Sequence, residues 1–295
     1  MLHGARDRGV MNGTKENTSA AFCAELVRTH DFANYATTLF APLRFRRALL
    51  ALYAFNVEIV RIREQITQPL PGEIRLQWWI DMIDGAGRGG VEGNPVAAEL
   101  LLAIQEHGLP VELLSRLIEA HQFDLYNDPM PDMAAFERYL GDTSCALFSL
   151  ASRVVGQRSE ETDHLARHAG LAAGIAQTIA KFGFDASRRQ SYVPLQLLEQ
   201  HSADLEQVFA GQDTSSVRAA IGGLADEARS HLEVAFGLLP DLPPQSRGVY
   251  LPLALVRRAL NAGDTDINPF VPRPVSRLRI LWTMWRASRT RPFSV

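Results

Sequence analysis

Histidine, carboxylate and glycine residues fall at chemically suggestive spacings in several parts of the chain. His164 and His168 stand four apart, the step that puts two imidazoles on one helix face as metal ligands. The intervening "HLARH" lacks the glutamate of a zinc-protease helix and no third ligand is evident, so a metal site is not expected there. Asp81 and Asp84, three apart, could share a face as metal-binding carboxylates do. They occupy a last helical turn, however, where the helix dipole disfavours negative charge, and they read as a solvated end. His121 and Asp124 have the i, i+3 spacing of a local hydrogen bond. "GAGRGG", Gly85 to Gly90, matches the dinucleotide pattern G-x-G-x-x-G, which works only between a strand and a helix. Leu76, Trp79, Ile80 and Ile83 give helical spacing before it, so an interhelical loop is expected. No G-x-S-x-G elbow exists, which removes the commonest serine-hydrolase arrangement.

These residues must be carried by helices. Alternating strand patterns are nearly absent, and helical periodicity runs over 20–40, 44–67, 72–85, 95–107, 111–126, 133–155, 161–183, 194–200, 215–239 and 246–261. Pro- and Gly-rich stretches such as "NDPMPD" and "LLPDLPPQ" punctuate them, with no fixed repeat and no low-complexity linker. The expectation is one all-α domain, a helical bundle over 18–295. Residues 1–17 read as a disordered lead, with Met11 an alternative start.

Composition narrows the function classes. A chain of 295 residues that is 46% hydrophobic can bury a large core without disulfides. Its net charge of −3 gives no reason to expect nucleic-acid binding. Cys23 and Cys145 lie in apolar helical contexts without a CxxC partner, which suits a reducing compartment. No apolar run approaches the roughly 18 residues of a membrane span, and the N-terminus lacks the apolar region of a secretory signal. Cytoplasmic residence is the default expectation.

The segment "YAFNVEIVRIRE", residues 53 to 64, is unusual for its two inward faces. Ala48, Leu52, Phe55, Ile59, Ile62 and Ile66 mark the deepest arc, and Arg47, Glu58, Arg61 and Gln65 the opposite, solvated one. Between them runs a second inward stripe of Tyr53, Asn56, Val57, Val60 and Glu64, which places the helix in the middle of a bundle. With "FANYATTLFAPLRFRRALLALYAF", "LIEAHQFDLYNDPMPDMAAFERYLGDTSCALFSLASRVVG", "SRRQSYVPLQLL" and "GLADEARSHLEVAFGLLPDLP", the chain resembles the squalene/phytoene synthase family over about residues 28 to 285.

That resemblance implies the all-α isoprenoid-synthase fold, with a central cavity between two aspartate-rich motifs that hold Mg²⁺ and a prenyl diphosphate. The first motif, D-D-x-x-D, maps onto Val60, Arg61, Ile62, Arg63 and Glu64, and the second, D-x-x-x-D, onto Lys181 through Asp185. Only Glu64 and Asp185 remain as metal-binding carboxylates, at most a weak site, and Lys181 repels cations. The pattern is similar to a branch of the family that lacks the aspartates and includes the mitochondrial assembly factor for respiratory complex I. Three readings follow. One is a non-catalytic binding or assembly protein with a respiratory-complex partner and no cofactor. Another is a prenyl-diphosphate transferase with an altered Mg²⁺ site. The third is a carrier that holds a prenyl diphosphate or lipid on Lys181, Arg188 and Arg189 without metal.

The tail "RPVSRLRILWTMWRASRTRPF", residues 273 to 293, holds Arg273, Arg277, Arg279, Arg286, Arg289 and Arg291 and no acid. Leu278, Leu281, Trp282 and Trp285 recur at helical steps, with Ile280 and Met284 beside them. Two expectations stay open: docking of the aromatic stripe on the bundle, or peripheral attachment to a membrane, such as the inner membrane.

Overall fold

The computed structural model describes residues 18–85, 93–261 and 268–294. The readings of 1–17 as a disordered lead and of the loop after Gly85 fall outside them. Gly85 itself ends its helix with φ of 77°, a left-handed conformation that glycine adopts without strain. Among the described residues every regular element is helical: α1 (18–30), α2 (Phe32–Thr38), α3 (Leu43–Arg61), α4 (Pro69–Ile83), α5 (Pro95–His107), α6 (Val111–Ala120), α7 (Met133–Leu140), α8 (Ala146–Val154), α9 (Glu160–Ser187), α10 (Leu195–Gln200), α11 (Leu205–Phe209), α12 (Ser215–Leu238), α13 (Pro252–Asn261) and α14 (Arg277–Ser288).

The boundaries follow from local chemistry. Ser159 caps α9 by accepting from Thr162 N, and Glu160, Glu161 and Asp163 complement the dipole in its first turn. Asn94 caps α5 ahead of Pro95, and Gly108 closes it in the left-handed conformation. The helix expected over 20–40 is two helices, because Asp31 leaves helical geometry and its carboxylate caps Asn34 N. The one expected over 133–155 carries a π-helical turn, Gly141–Cys145, between α7 and α8. That turn presses on α9 at two glycines. A Cβ at Gly170 would stand 2.3 Å from Cys145 Cα, and one at Gly174 would stand 2.6 Å from Leu140 Cδ2.

The central helices are α3 and α9. All six residues of the deepest α3 arc are buried, and Leu49, Ala51, Tyr53, Ala54 and Val57 join them, so α3 is enclosed on most of its circumference. Arg47 is exposed, as expected, and also forms a two-bond ion pair with Glu99 of α5 at 2.7 and 2.9 Å, where Glu99 is only 2% exposed. A buried carboxylate needs such a partner, and α3 supplies it with Arg47, a pairing that sequence spacing could not reveal. Both cysteines are inert: burial pushes each thiol up to about 12.

The C-terminal segment closes over the bundle. Phe270 packs on Phe182, and its carbonyl lies where Gly183 leaves room: a Cβ there would stand 2.2 Å from Phe270 O. The following helix, α14, packs on α2 and α13 through Met284 and Ala287, and Phe293 is fully buried edge-on to Phe236. So α14 docks, but of the expected stripe only Leu281 packs on the core. Leu278, Trp282 and Trp285 face outward, since Met284 and Ala287 already hold the opposite arc.

Candidate functional site

The C-terminal ends of α3 and α9 carry the positions singled out by sequence. Helix α3 ends at Arg61 rather than running to 67, and Glu64 sits in a tight 3₁₀ turn, Arg63–Gln65. That turn leaves Glu64 exposed at the rim instead of on the inward stripe. Tyr53 is 2% exposed, and burial, then the neighbouring Asp31 and Tyr250, raise its hydroxyl above the ordinary range. Asn56 and Val60 remain half-buried.

Across from them on α9, Lys181 and Asp185 are half-buried one turn apart. Burial raises the Asp185 carboxyl to about 6; Lys181 and Arg188 pull it down, while Asp124 and Glu64 push it further up. Asp185 therefore lies within electrostatic reach of Glu64. Lys181 and Arg188 both lie over the Phe184 ring, at 6.0 and 5.4 Å. Arg189 is different. It has φ of 55°, pairs with Glu206 at 2.6 Å with both side chains exposed, and covers Phe209 at 4.7 Å, so its contacts run to α11.

The raised Asp185 value makes a testable statement about stability. The folded protein holds this proton up to about pH 6, whereas the unfolded chain releases it near 3.8. Its contribution to stability is full below 3.8 and is lost as pH rises through 6. Asp185→Asn is therefore expected to be more stable than the parent at neutral pH, on the order of 1–2 kcal/mol, with the gain vanishing in acid. Urea melts across the pH range check this.

Behind the rim lies a polar hub that sequence spacing caught only in part. The Asp124 Oδ2 accepts from His121 Nδ1 at 2.6 Å, which bears out the local pair. Its Oδ1 also accepts from Tyr139 at 2.9 Å and Tyr192 at 2.8 Å, and both partners are remote in sequence. The segment carrying Tyr192 is held by Met130, whose N–H donates to Ser191 O at 3.0 Å and whose carbonyl accepts from Leu195 N at 2.8 Å. Both tyrosine hydroxyls are raised, first by burial and then by the Asp124 charge. His121 Nε2 and both amide atoms of Gln190, in the turn between Asp185 and Tyr192, are buried without a hydrogen-bond partner.

The motif positions offer Mg²⁺ only two carboxylates, Glu64 and Asp185. The ion demands oxygen ligands in octahedral array. Here Asp124 already accepts from three donors, Lys181 stands one turn from Asp185, and Glu64 faces water. Of two hollows, one of about 380 Å³ along Glu137, Asp142 and Arg167 has no motif position in its lining, and one of about 280 Å³ along Glu58, Arg75 and Trp78 touches the first motif only at Ile62. The central cavity implied by resemblance is neither of these.

The other sequence candidates resolve simply. Asp81 accepts from Gln77 at 2.7 Å and Asp84 is exposed at its helix end. His164 and His168 stack edge to face, and His168 Nδ1 meets His231 Nδ1 of α12 at 2.9 Å. Among the described residues no three or more His, Cys, Asp or Glu side chains gather in a metal-holding arrangement.

A profile described as "Squalene/phytoene synthase" matches residues 27–286. The chain belongs to the squalene/phytoene synthase family. Within or near that family, it is 28% identical over 233 residues to NADH dehydrogenase (ubiquinone) complex I, assembly factor 6 of Mus musculus, covering 79% of this chain and 70% of that one. The corresponding homolog of Drosophila melanogaster is 32% identical over 259 residues, covering 83% and 75%. Similarity to a phytoene synthase of Thermus thermophilus is lower, 24% over 239 residues, covering 76% and 79%. Among solved structures, squalene synthase HpnC from Alicyclobacillus acidocaldarius superposes with a TM-score of 0.73 at 21% identity, covering 84% and 94%. A dehydrosqualene synthase in complex with ligand gives 0.78 at 14% identity, covering 92% and 96%. At those identities the likeness establishes the squalene synthase-type fold, and the expected all-α architecture stands.

Proposed function

We propose that this squalene/phytoene synthase family member is a non-catalytic binding or assembly protein serving a respiratory complex. One observation carries the reading: where catalysis would need facing carboxylate clusters, the chain places Val60, Arg61, Ile62 and Arg63 on one side and Lys181 on the other. A valine cannot coordinate a cation, and a lysine opposes one. Relatives named as complex I assembly factors support the partner class. The reading extends to a respiratory-complex protein as partner and to residence at the periphery of the inner membrane; no described helix is long and apolar enough to cross one.

The deciding experiment is incubation with farnesyl or geranylgeranyl diphosphate and Mg²⁺, followed by product extraction. No squalene- or phytoene-like product is expected, and robust turnover by the unaltered protein would return the prenyl-transferase reading. Val60→Asp combined with Lys181→Asp should tighten Mg²⁺ binding about tenfold or more, since exchanging a cation for an anion near a dication is worth roughly 2 kcal/mol. Calorimetric titration reads this without requiring catalysis to return.

A second reading has its own support. Lys181 and Arg188 flank Asp185, and His121 Nε2 and the Gln190 amide are buried polar atoms that a polar guest would satisfy. A prenyl diphosphate or lipid anion held without turnover fits that chemistry. Metal-free titration with farnesyl diphosphate tests it, and an unchanged affinity in Lys181→Ala would remove it.

A further inference from the structure

We propose that the outward face of α14 docks the protein on a membrane surface rich in anionic phospholipid. Leu278 is 80% exposed, Trp282 61% and Trp285 41%. At 100° per residue these three fall within about 60° of arc, a single apolar stripe pointing away from the bundle. The two indoles stack on each other, with centroids 5.0 Å apart, rather than on the core. Val271 and Val275, just ahead of the helix, are also exposed, at 57% and 46%.

The surrounding charge selects the occupant. Six arginines and no acid occur between 273 and 293 in a chain whose net charge is −3. Arg279 and Arg286 lie along one flank of the stripe and are exposed, and Arg289 covers the Trp285 ring at 4.4 Å. Among the described residues no carboxylate pairs with Arg279, Arg286, Arg289 or Arg291. Indole rings settle at headgroup depth and guanidinium groups meet lipid phosphates, so a tryptophan stripe edged by arginines matches an anionic bilayer surface. A second copy of the chain would have to bring this same basic patch against itself. The helix is anchored for the task, because Met284, Ala287 and Phe293 on its other side are core residues.

This deepens the membrane part of the proposed function but rests on different residues, so the two can fail separately. Deleting the tail would remove core side chains, so point variants of the full chain are the right probes. The protein is expected to sediment with phosphatidylglycerol-containing vesicles and not with phosphatidylcholine alone. Brominated phosphatidylglycerol should quench tryptophan emission. Trp282→Ser with Trp285→Ser should abolish sedimentation without altering the thermal melt, and Arg279→Gln or Arg286→Gln should each weaken it about fivefold. Equal sedimentation with both vesicle types, sedimentation without quenching, or variants that bind as the parent does would overturn the inference. So would a dimer that dissolves on Trp282→Ser while vesicles are ignored, which assigns the stripe to a second copy. Assembly of the respiratory complex in cells is a separate readout: its loss with vesicle binding intact leaves the docking face standing, and the reverse leaves the assembly reading standing.

Discussion

Gly170→Ala is expected to destabilise the fold by roughly 3 kcal/mol, the upper end of the usual overpacking range. The added methyl would stand 2.3 Å from Cys145 Cα and 2.5 Å from Cys145 N, and neither backbone atom can swing aside as a side-chain tip would. The π-helical turn at Gly141–Cys145 would have to lift from α9, loosening α7 and α8 together. Gly174→Ala should cost less, since its nearest neighbours are the Leu140 Cδ2 and Ser144 Oγ ends of side chains. Gly222→Ala is the counter-case. It lies within α12 with nothing inside 4 Å of its Cβ, so the same change should stabilise by about 0.5–1 kcal/mol through helix propensity. Urea-melt midpoints for the three variants check both sign and order. A Gly170→Ala protein as stable as the parent would contradict the close approach.

Asp124→Ala is expected to cost about 3–5 kcal/mol, as removal of the charged partner from a buried network does. Three donors, from His121, Tyr139 and Tyr192, would lose their acceptor in a site where Asp124 is 7% exposed. Asp124→Asn should be milder, about 1–2 kcal/mol, because an amide oxygen can keep both tyrosines. Its NH₂ would then face His121 Nδ1, which can accept in its other tautomer. Equal losses in the two variants would mean that the hub stands on charge rather than on hydrogen-bond count.

The repeating features of this protein were legible in its sequence, because they rest on periodicity. The apolar arc of α3 from Ala48 to Ile66 reads directly as burial, and the family resemblance placed Lys181 and Asp185 opposite the end of that helix. What escaped was contact between residues far apart in the chain. Nothing local says that Tyr139 and Tyr192 converge on Asp124, that His231 joins His168, or that Arg47 reaches Glu99. Element ends escaped for a different reason. Glu64 was placed one turn inside a helix that in fact tightens at Arg63, and a rim position differs from an inward one by those few residues. The α14 stripe was read correctly as amphipathic, but periodicity alone could not say which of its two apolar arcs the bundle would take.

The closing segment has a consequence for how the protein is made. Phe270 lies against α9, Arg277 donates to the Arg28 carbonyl, and Phe293 fills a fully buried place beside Phe236. Residues separated by up to 249 positions must therefore meet before the core is complete. On a ribosome that emits the chain in order, α1 and α2 appear early and wait with an unfinished surface until 268–294 has cleared the exit tunnel. During that interval the nascent chain exposes the apolar sides of both helices, which makes it a substrate for chaperones that bind such surfaces. A fusion or tag that delays release of this segment would lengthen the wait, and yield in the soluble fraction would fall even where the finished protein is stable.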